Sequence, residues 1–223
     1  MSALAILHRD ERWIAVDKPS GWVVHHSGMT RDAIACVDVL REQLGRDVFP
    51  VHRLDRATSG VLLFALSSEA ARETQALFQS GGVTKRYWAI VRGRPPDEGF
   101  IDHPIPSDED RPRVPAQTRY RRLATITIDV LDRQQPYSIV DAEPITGRFH
   151  QVRRHLKHLG HPLIGDVNYG RGEHNRLWRE RFGLHRLALH AESLDLKDLR
   201  IEAPLAPALR AAWELALSAA ASA

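Results

Sequence analysis

One stretch constrains this chain more than any other. Residues 61–66 form an unbroken apolar run, entered directly from the polar cluster His52-Arg53-Leu54-Asp55-Arg56-Ala57-Thr58-Ser59-Gly60. Such a run behind a Ser-Gly break predicts a strand buried on both faces, hence one near the centre of a sheet. Ser67 then caps a helix whose Ala70, Thr74, Leu77 and Phe78 recur at helical spacing, and Gly81-Gly82 stops it after about three turns. Upstream, residues 13–16 and 22–24 read as two strands joined at Lys18-Pro19-Ser20-Gly21, because Pro fixes φ and Gly supplies the unusual dihedrals.

Further strand patterns fall at 87–91, 126–130, 137–142, 187–196 and 200–203. Phe149, Val152, Leu156 and Leu159 mark a helix ending at Gly160, and Leu205, Leu209, Trp213 and Leu217 mark a last one. Residues 94–115 hold six of the thirteen prolines, which predicts a long irregular, substrate-facing insertion. No internal repeat or flexible linker interrupts this order. The fold class it implies is α+β, a mixed, mostly antiparallel central sheet flanked by helices and loops.

Hydrophobic residues make up 43% and charged residues 26%, which excludes disordered and coiled-coil classes. The 223 residues suffice for a single domain over 1–223, and a two-lobed arrangement fits the same length. No apolar stretch approaches the roughly 20 residues a membrane helix needs, and residues 1–10 lack a signal core. The single Cys36 suits a reducing compartment. A cytoplasmic monomer is the expectation.

The net charge of +3 says little about partners, so its distribution matters more. Arg111, Arg113, Arg119, Arg121 and Arg122 cluster, as do Arg148, Arg153, Arg154 and Lys157, against an acidic run of Asp97, Glu98, Asp102, Asp108, Glu109 and Asp110. Basic and acidic faces are expected to segregate. Asp55 sits at the mouth of the buried strand between Arg53 and Arg56, an arrangement that favours the ionised carboxylate and is characteristic of functional sites and structural ion pairs alike.

A second polar cluster, Thr146-Gly147-Arg148-Phe149-His150-Gln151-Val152-Arg153-Arg154, opens the helix with the apolar stripe. If that stripe faces inward, Arg148 lies at the helix start, while Arg153, Arg154 and Lys157 point toward solvent or phosphate. A cation there is disfavoured by the helix dipole, so Arg148 calls for an acidic partner, for which Asp55 is available. Other chemistries lack their parts. His-Arg-x-Asp is shared with kinase catalytic loops, but no Gly-rich phosphate loop or Asp-Phe-Gly accompanies it. His150, His155, His158 and His161 form no His-Glu-x-x-His, and the glycines form no dinucleotide fingerprint, so neither metal nor cofactor is expected.

Together the clusters resemble the RluA-type pseudouridine synthase family. His52-Arg53-Leu54-Asp55-Arg56-x-Thr58-Ser59-Gly60 is similar to its catalytic signature, Lys18-Pro19-Ser20-Gly21 to its first motif, Lys85-Arg86-Tyr87-Trp88-Ala89 to its tyrosine motif, and residues 146–153 to its arginine motif, all in the family's order. The likeness runs from about Trp13 to His190 and is greatest to the branch that modifies uridine 65 of tRNA. It implies a pseudouridine synthase fold with a central cleft, a cofactor-free isomerase, an RNA partner and no membrane. It also implies catalytic roles for Asp55, Tyr87 and Arg148, with substrate contacts from Arg53, Val152, His52, Gln151, Arg153 and Lys18. Ribosomal RNA, another tRNA uridine, or a non-catalytic RNA-binding module are the alternatives. The chain enters the catalytic region almost at once, leaving no room for the separate N-terminal RNA-binding domain of several relatives.

Overall fold

The computed structural model describes residues 3–26, 32–107, 112–130 and 133–222. From the N-terminus the chain forms β1 (Ala5–Arg9), β2 (Trp13–Lys18), α1 (Cys36–Leu44), β3 (Phe49–Pro50), β4 (Ser59–Ala65), α2 (Ser68–Ser80) and β5 (Val83–Arg92). There follow β6 (Glu98–Asp102), β7 (Ile105–Pro106), β8 (Arg113–Val114) and the long β9 (Gln117–Val130) and β10 (Arg133–Pro144). α3 (Gln151–His158), α4 (Gly172–Phe182), β11 (Leu189–Leu196), β12 (Leu199–Glu202) and α5 (Pro207–Ala221) complete the order. The class is α+β with a mixed, mostly antiparallel sheet, as the sequence implied. Two compact units share the chain: Met1–Lys85 with Ala191–Pro204, and Arg86–His190 with Leu205–Ala223.

In the first unit β2 lies between β1 and β4, antiparallel to both. Every residue of β4 is buried. Its alternate side chains Val61, Leu63 and Ala65 pack with Trp13 and Ala15 of β2, Ala70 and Ala71 of α2, and Leu194 and Leu196 of β11. Leu62 and Phe64, also fully buried, point to the opposite face because side chains alternate along a strand. The α2 boundaries follow local chemistry. Ser67 Oγ accepts the Ala70 N–H at 3.1 Å, an N-cap worth about 1 kcal/mol. At the other end Gly81 takes the left-handed conformation (φ 79°) and donates to the Leu77 carbonyl.

In the second unit β10 pairs antiparallel with both β5 and β9, and β6 adds to β9. Its core joins Ile90, Ile126, Ile128 and Tyr137 of the strands to Trp178 and Phe182 of α4 and Trp213 of α5. The buried Tyr137 hydroxyl is satisfied by His174 Nδ1 at 2.8 Å. Among the described residues no helix is long and apolar enough to cross a membrane.

Three expectations need correction. Residues 22–24 form no strand. Only Val23 bridges, to Ala35, and its backbone groups bond Ile34 and Cys36 just ahead of α1. The proline-rich insertion is not irregular throughout, because β6 and the β7–β8 hairpin occupy part of it. Nor do acidic and basic runs segregate: Glu98 stands opposite Arg121 across β6 and β9, Asp97 pairs with Arg122, and Glu143 pairs with Arg119. Opposite charges facing each other across neighbouring strands attract, which interleaves the runs. Asp108, Glu109, Asp110 and Arg111 lie outside the described residues.

Gly60 opens β4 with φ 110°, and a Cβ there would sit 2.1 Å from the Ala191 carbonyl oxygen. Backbone meets backbone at this point, so nothing flexible can yield. Gly60→Ala should therefore lower unfolding stability by roughly 3 kcal/mol or more, combining left-handed strain with a displaced strand. Urea denaturation measures it, and a variant within about 1 kcal/mol of wild type would show that the close approach does not constrain the fold.

Candidate active site

The site begins with a buried ammonium. Lys18, at the end of β2, is 0% exposed, and its Nζ donates to the carbonyls of Pro19 (2.9 Å), Arg56 (3.2 Å) and Thr58 (2.7 Å). Burying a charge is costly unless hydrogen bonds replace water, and these carbonyls do so. Ser20 Oγ donates to the Ala57 carbonyl at 2.7 Å, the Gly21 N–H to Arg56, and Arg56 Nε back to Gly21. Two segments far apart in sequence thus form one knot around the turn that carries Asp55. The turn closes when the Thr58 N–H donates to the Asp55 carbonyl at 3.0 Å. Asp55 itself is half-buried and Arg53 exposed.

His52 braces β4 against α2. Its Nε2 accepts the Leu63 N–H of β4 at 2.9 Å, which requires an unprotonated nitrogen, and its ring stacks on Phe78 of α2 with centroids 5.0 Å apart. Burial, with the nearby Lys85 charge as a lesser cause, pushes its pKa from 6.5 down to about 3. The ring is a neutral brace between strand and helix.

In the second unit Tyr87 lies on β5 in register with Ala142 of β10, on the strand face opposite Arg86 and Trp88. Arg86 is spoken for by carboxylates of β10, at 3.0 Å from Asp141 and 3.7 Å from Glu143. Tyr87 is half-buried. Past the end of β10 the chain runs into the arginine motif, where Gln151 is 4% exposed and acts as a clamp. Its Oε1 accepts from Thr146 Oγ1 (2.7 Å) and the Arg148 N–H (3.0 Å), while its Nε2 donates to Gln117 O and Thr118 Oγ1. The Arg148 side chain is exposed, with Nε donating to the Pro115 carbonyl at 3.2 Å.

The helix face expected to offer three cations offers fewer. Arg153 is 5% exposed and makes a two-pronged ion pair with Asp166, both contacts 2.8 Å. Arg154 donates to the Tyr169 hydroxyl and the Pro106 carbonyl. Val152 and Leu156 are buried as the stripe predicts, but Leu159 is exposed and His155 is buried on the other side, between Thr118 and the His103 carbonyl. α3 is covered on two faces, so a single apolar stripe does not describe it. Arg148 also precedes the helix, whose N-cap is His150.

Comparison with known proteins settles the family. Residues 12–158 match the family model described as RNA pseudouridylate synthase. The chain is 45% identical over 207 residues to tRNA pseudouridine synthase C of Salmonella typhimurium, covering 86% of this chain and 80% of that one. Against tRNA pseudouridine synthase C of Vibrio cholerae it is 40% identical over 216 residues, covering 91% and 88%. The chain belongs to the RNA pseudouridylate synthase family. Its structure agrees with human RNA Pseudouridylate Synthase Domain Containing 4 at a TM-score of 0.77, with 26% identity over 96% of this chain and 93% of that one.

An RNA pseudouridine synthase is an isomerase that exchanges an N-glycosidic bond for a C-glycosidic one within a single nucleotide. Seen as such an enzyme, the motif residues divide by burial. Lys18, Gln151 and Arg153 are buried and His52 is half-buried, each held by the protein contacts given above. Sequence reasoning missed Asp166, Tyr169 and Thr118 as organisers of the arginine motif.

The His52 brace makes a pH prediction. Because its folded pKa lies below 6.5, the unfolded chain binds a proton that the native protein refuses. Its contribution is fully present above about pH 6.5 and is lost as pH falls toward about 3, by at most about 1.4 kcal/mol per pH unit. His52→Gln, which keeps an acceptor for Leu63, should flatten the decline between about pH 6 and 4. Chemical denaturation across that range tests it, and identical slopes for both proteins would contradict a neutral His52.

Proposed function

We propose that this pseudouridine synthase modifies tRNA at uridine 65, with Asp55 as the catalytic carboxylate and Tyr87 and Arg148 completing the catalytic set. What carries the choice of Asp55 is the knot beneath it: a fully buried lysine, a serine and an arginine all fix the backbone of one short turn. A site that needs a carboxylate aimed to within a fraction of an ångström benefits from such support. Asp55 acts on the nucleotide either by covalent attack or as a base that generates a glycal; both routes need the ionised oxygen. Tyr87 stacks on uracil, and Val152 packs against the base. Arg53 helps hold the gap left when the uridine leaves its stack, at a cost of a few kcal/mol.

The choice of tRNA is supported by relatives at 40% and 45% identity that carry the name tRNA pseudouridine synthase C. Phosphate contacts from exposed cations such as Lys157 and Arg121 suit recognition of folded RNA by shape and charge. We further propose a cytoplasmic monomer. Chemical mapping of pseudouridine in total RNA from a strain lacking the gene tests the substrate. The signal at uridine 65 of tRNA should vanish and return with the wild-type gene, whereas loss at a ribosomal RNA position would overturn the assignment to tRNA.

A further inference from the structure

The arginine motif enters α3 through a strained residue. His150, the N-cap, has φ 54° and ψ 29°, a left-handed conformation that side-chain-bearing residues adopt reluctantly and keep only when neighbours enforce it. The His150 ring stacks on Phe149, centroids 3.7 Å apart, and meets Tyr169 edge-on at 5.6 Å. Tyr169 Oη receives the Arg154 Nε–H at 2.8 Å, which leaves its own proton for His150 Nδ1 at 3.0 Å. The Tyr169 ring is itself held under two guanidinium groups, Arg153 at 5.1 Å and Arg154 at 5.5 Å from its centroid, a favourable stacking for a cation.

Tyr169 is placed by a further chain of contacts. Asp166 Oδ1 accepts the backbone N–H groups of Asn168 and Tyr169, each at 3.0 Å, while Arg153 grips both carboxylate oxygens. Burial alone would raise the Asp166 pKa, but the Arg153 bonds and charge outweigh it, so the carboxyl stays below its usual range. The Asp166–Gly170 turn is fixed as well, since the Gly170 N–H donates to the Asp166 carbonyl at 3.0 Å. On the other side, the Gln151 N–H donates to the Arg148 carbonyl at 3.1 Å, and Gln151 Oε1 receives the Arg148 N–H. The backbone of Arg148 therefore depends on the geometry of the two residues that follow it.

We infer that Tyr169 is a positioning residue for the reaction: its hydroxyl holds His150 in the left-handed conformation and thereby sets the direction in which Arg148 leaves the turn. This rests on the assignment of Arg148 to the catalytic set. It makes a specific demand on glycine. Gly adopts positive φ without a supporting neighbour, so a protein with glycine at 150 has no use for the Tyr169 hydroxyl. A purely structural role for Tyr169 would be indifferent to that change.

The test measures kcat and KM on tRNA for wild type, Tyr169→Phe, His150→Gly and the double variant, with melting curves for all four. Tyr169→Phe keeps the ring and its cation contacts and removes only the hydroxyl. Its kcat should fall roughly ten- to a hundredfold, the scale of a displacement of about 1 Å, with KM within about threefold. In the His150→Gly background the same substitution should cost less than about twofold, and the double variant should exceed Tyr169→Phe alone. Three results overturn the proposal: Tyr169→Phe within about twofold of wild-type kcat, an equal loss in both backgrounds, or loss of cooperative melting in Tyr169→Phe. Full turnover by Arg148→Ala would overturn the assignment beneath it.

Discussion

A single buried ammonium organises the first half of this enzyme. Lys18 cannot reach water, so its protons must find oxygen inside the protein, and the carbonyls of Pro19, Arg56 and Thr58 supply it. Those carbonyls belong to two chain segments that the ammonium ties together. The charge and the turn satisfy each other. Everything downstream inherits that geometry: β4 starts at Ser59 against β2, Gly60 presses on the Ala191 backbone, and Asp55 is presented from a turn whose backbone is fixed.

The second unit solves the same problem with a guanidinium. Arg153 and Asp166 are both nearly inaccessible, and their pairing shapes the turn that carries Tyr169. Breaking one side of such a pair is expensive, about 3 to 5 kcal/mol, because the remaining charge stays buried. In each unit, then, one cation of the motifs, Lys18 or Arg153, is buried and held by protein groups. Asp55, Tyr87 and His52 are half-buried, whereas Arg53, Arg56 and Arg148 are exposed. A motif rich in charge is not uniformly exposed.

What was legible in the sequence had local causes. The buried strand and the capped helix after it were readable because apolar period, Ser67 and Gly81 act within a few residues. Residues 22–24 misled because an apolar triplet becomes a strand only when a partner strand lies alongside, and here the neighbour is the single bridge at Ala35. Prolines 95, 96, 104 and 106 suggested disorder of form, yet they bracket β6 without entering it. The direction of Arg153 was illegible because helical spacing reports one face. It cannot say that a turn several residues beyond the helix will cover a second. The motif residues in sequence order sufficed for the family, whereas the burial of Lys18 and Arg153 was visible only in the contacts.

Asp55→Asn tests the catalytic carboxylate most directly, since the change removes the charge and the nucleophilic oxygen while keeping the side chain's volume. Conversion of uridine to pseudouridine should fall below detection in a protein that still melts cooperatively, with RNA affinity retained within about tenfold, because phosphate contacts elsewhere supply most of it. A well-folded Asp55→Asn protein that still isomerises uridine at an appreciable fraction of the wild-type rate would contradict the assignment of Asp55 as the catalytic carboxylate.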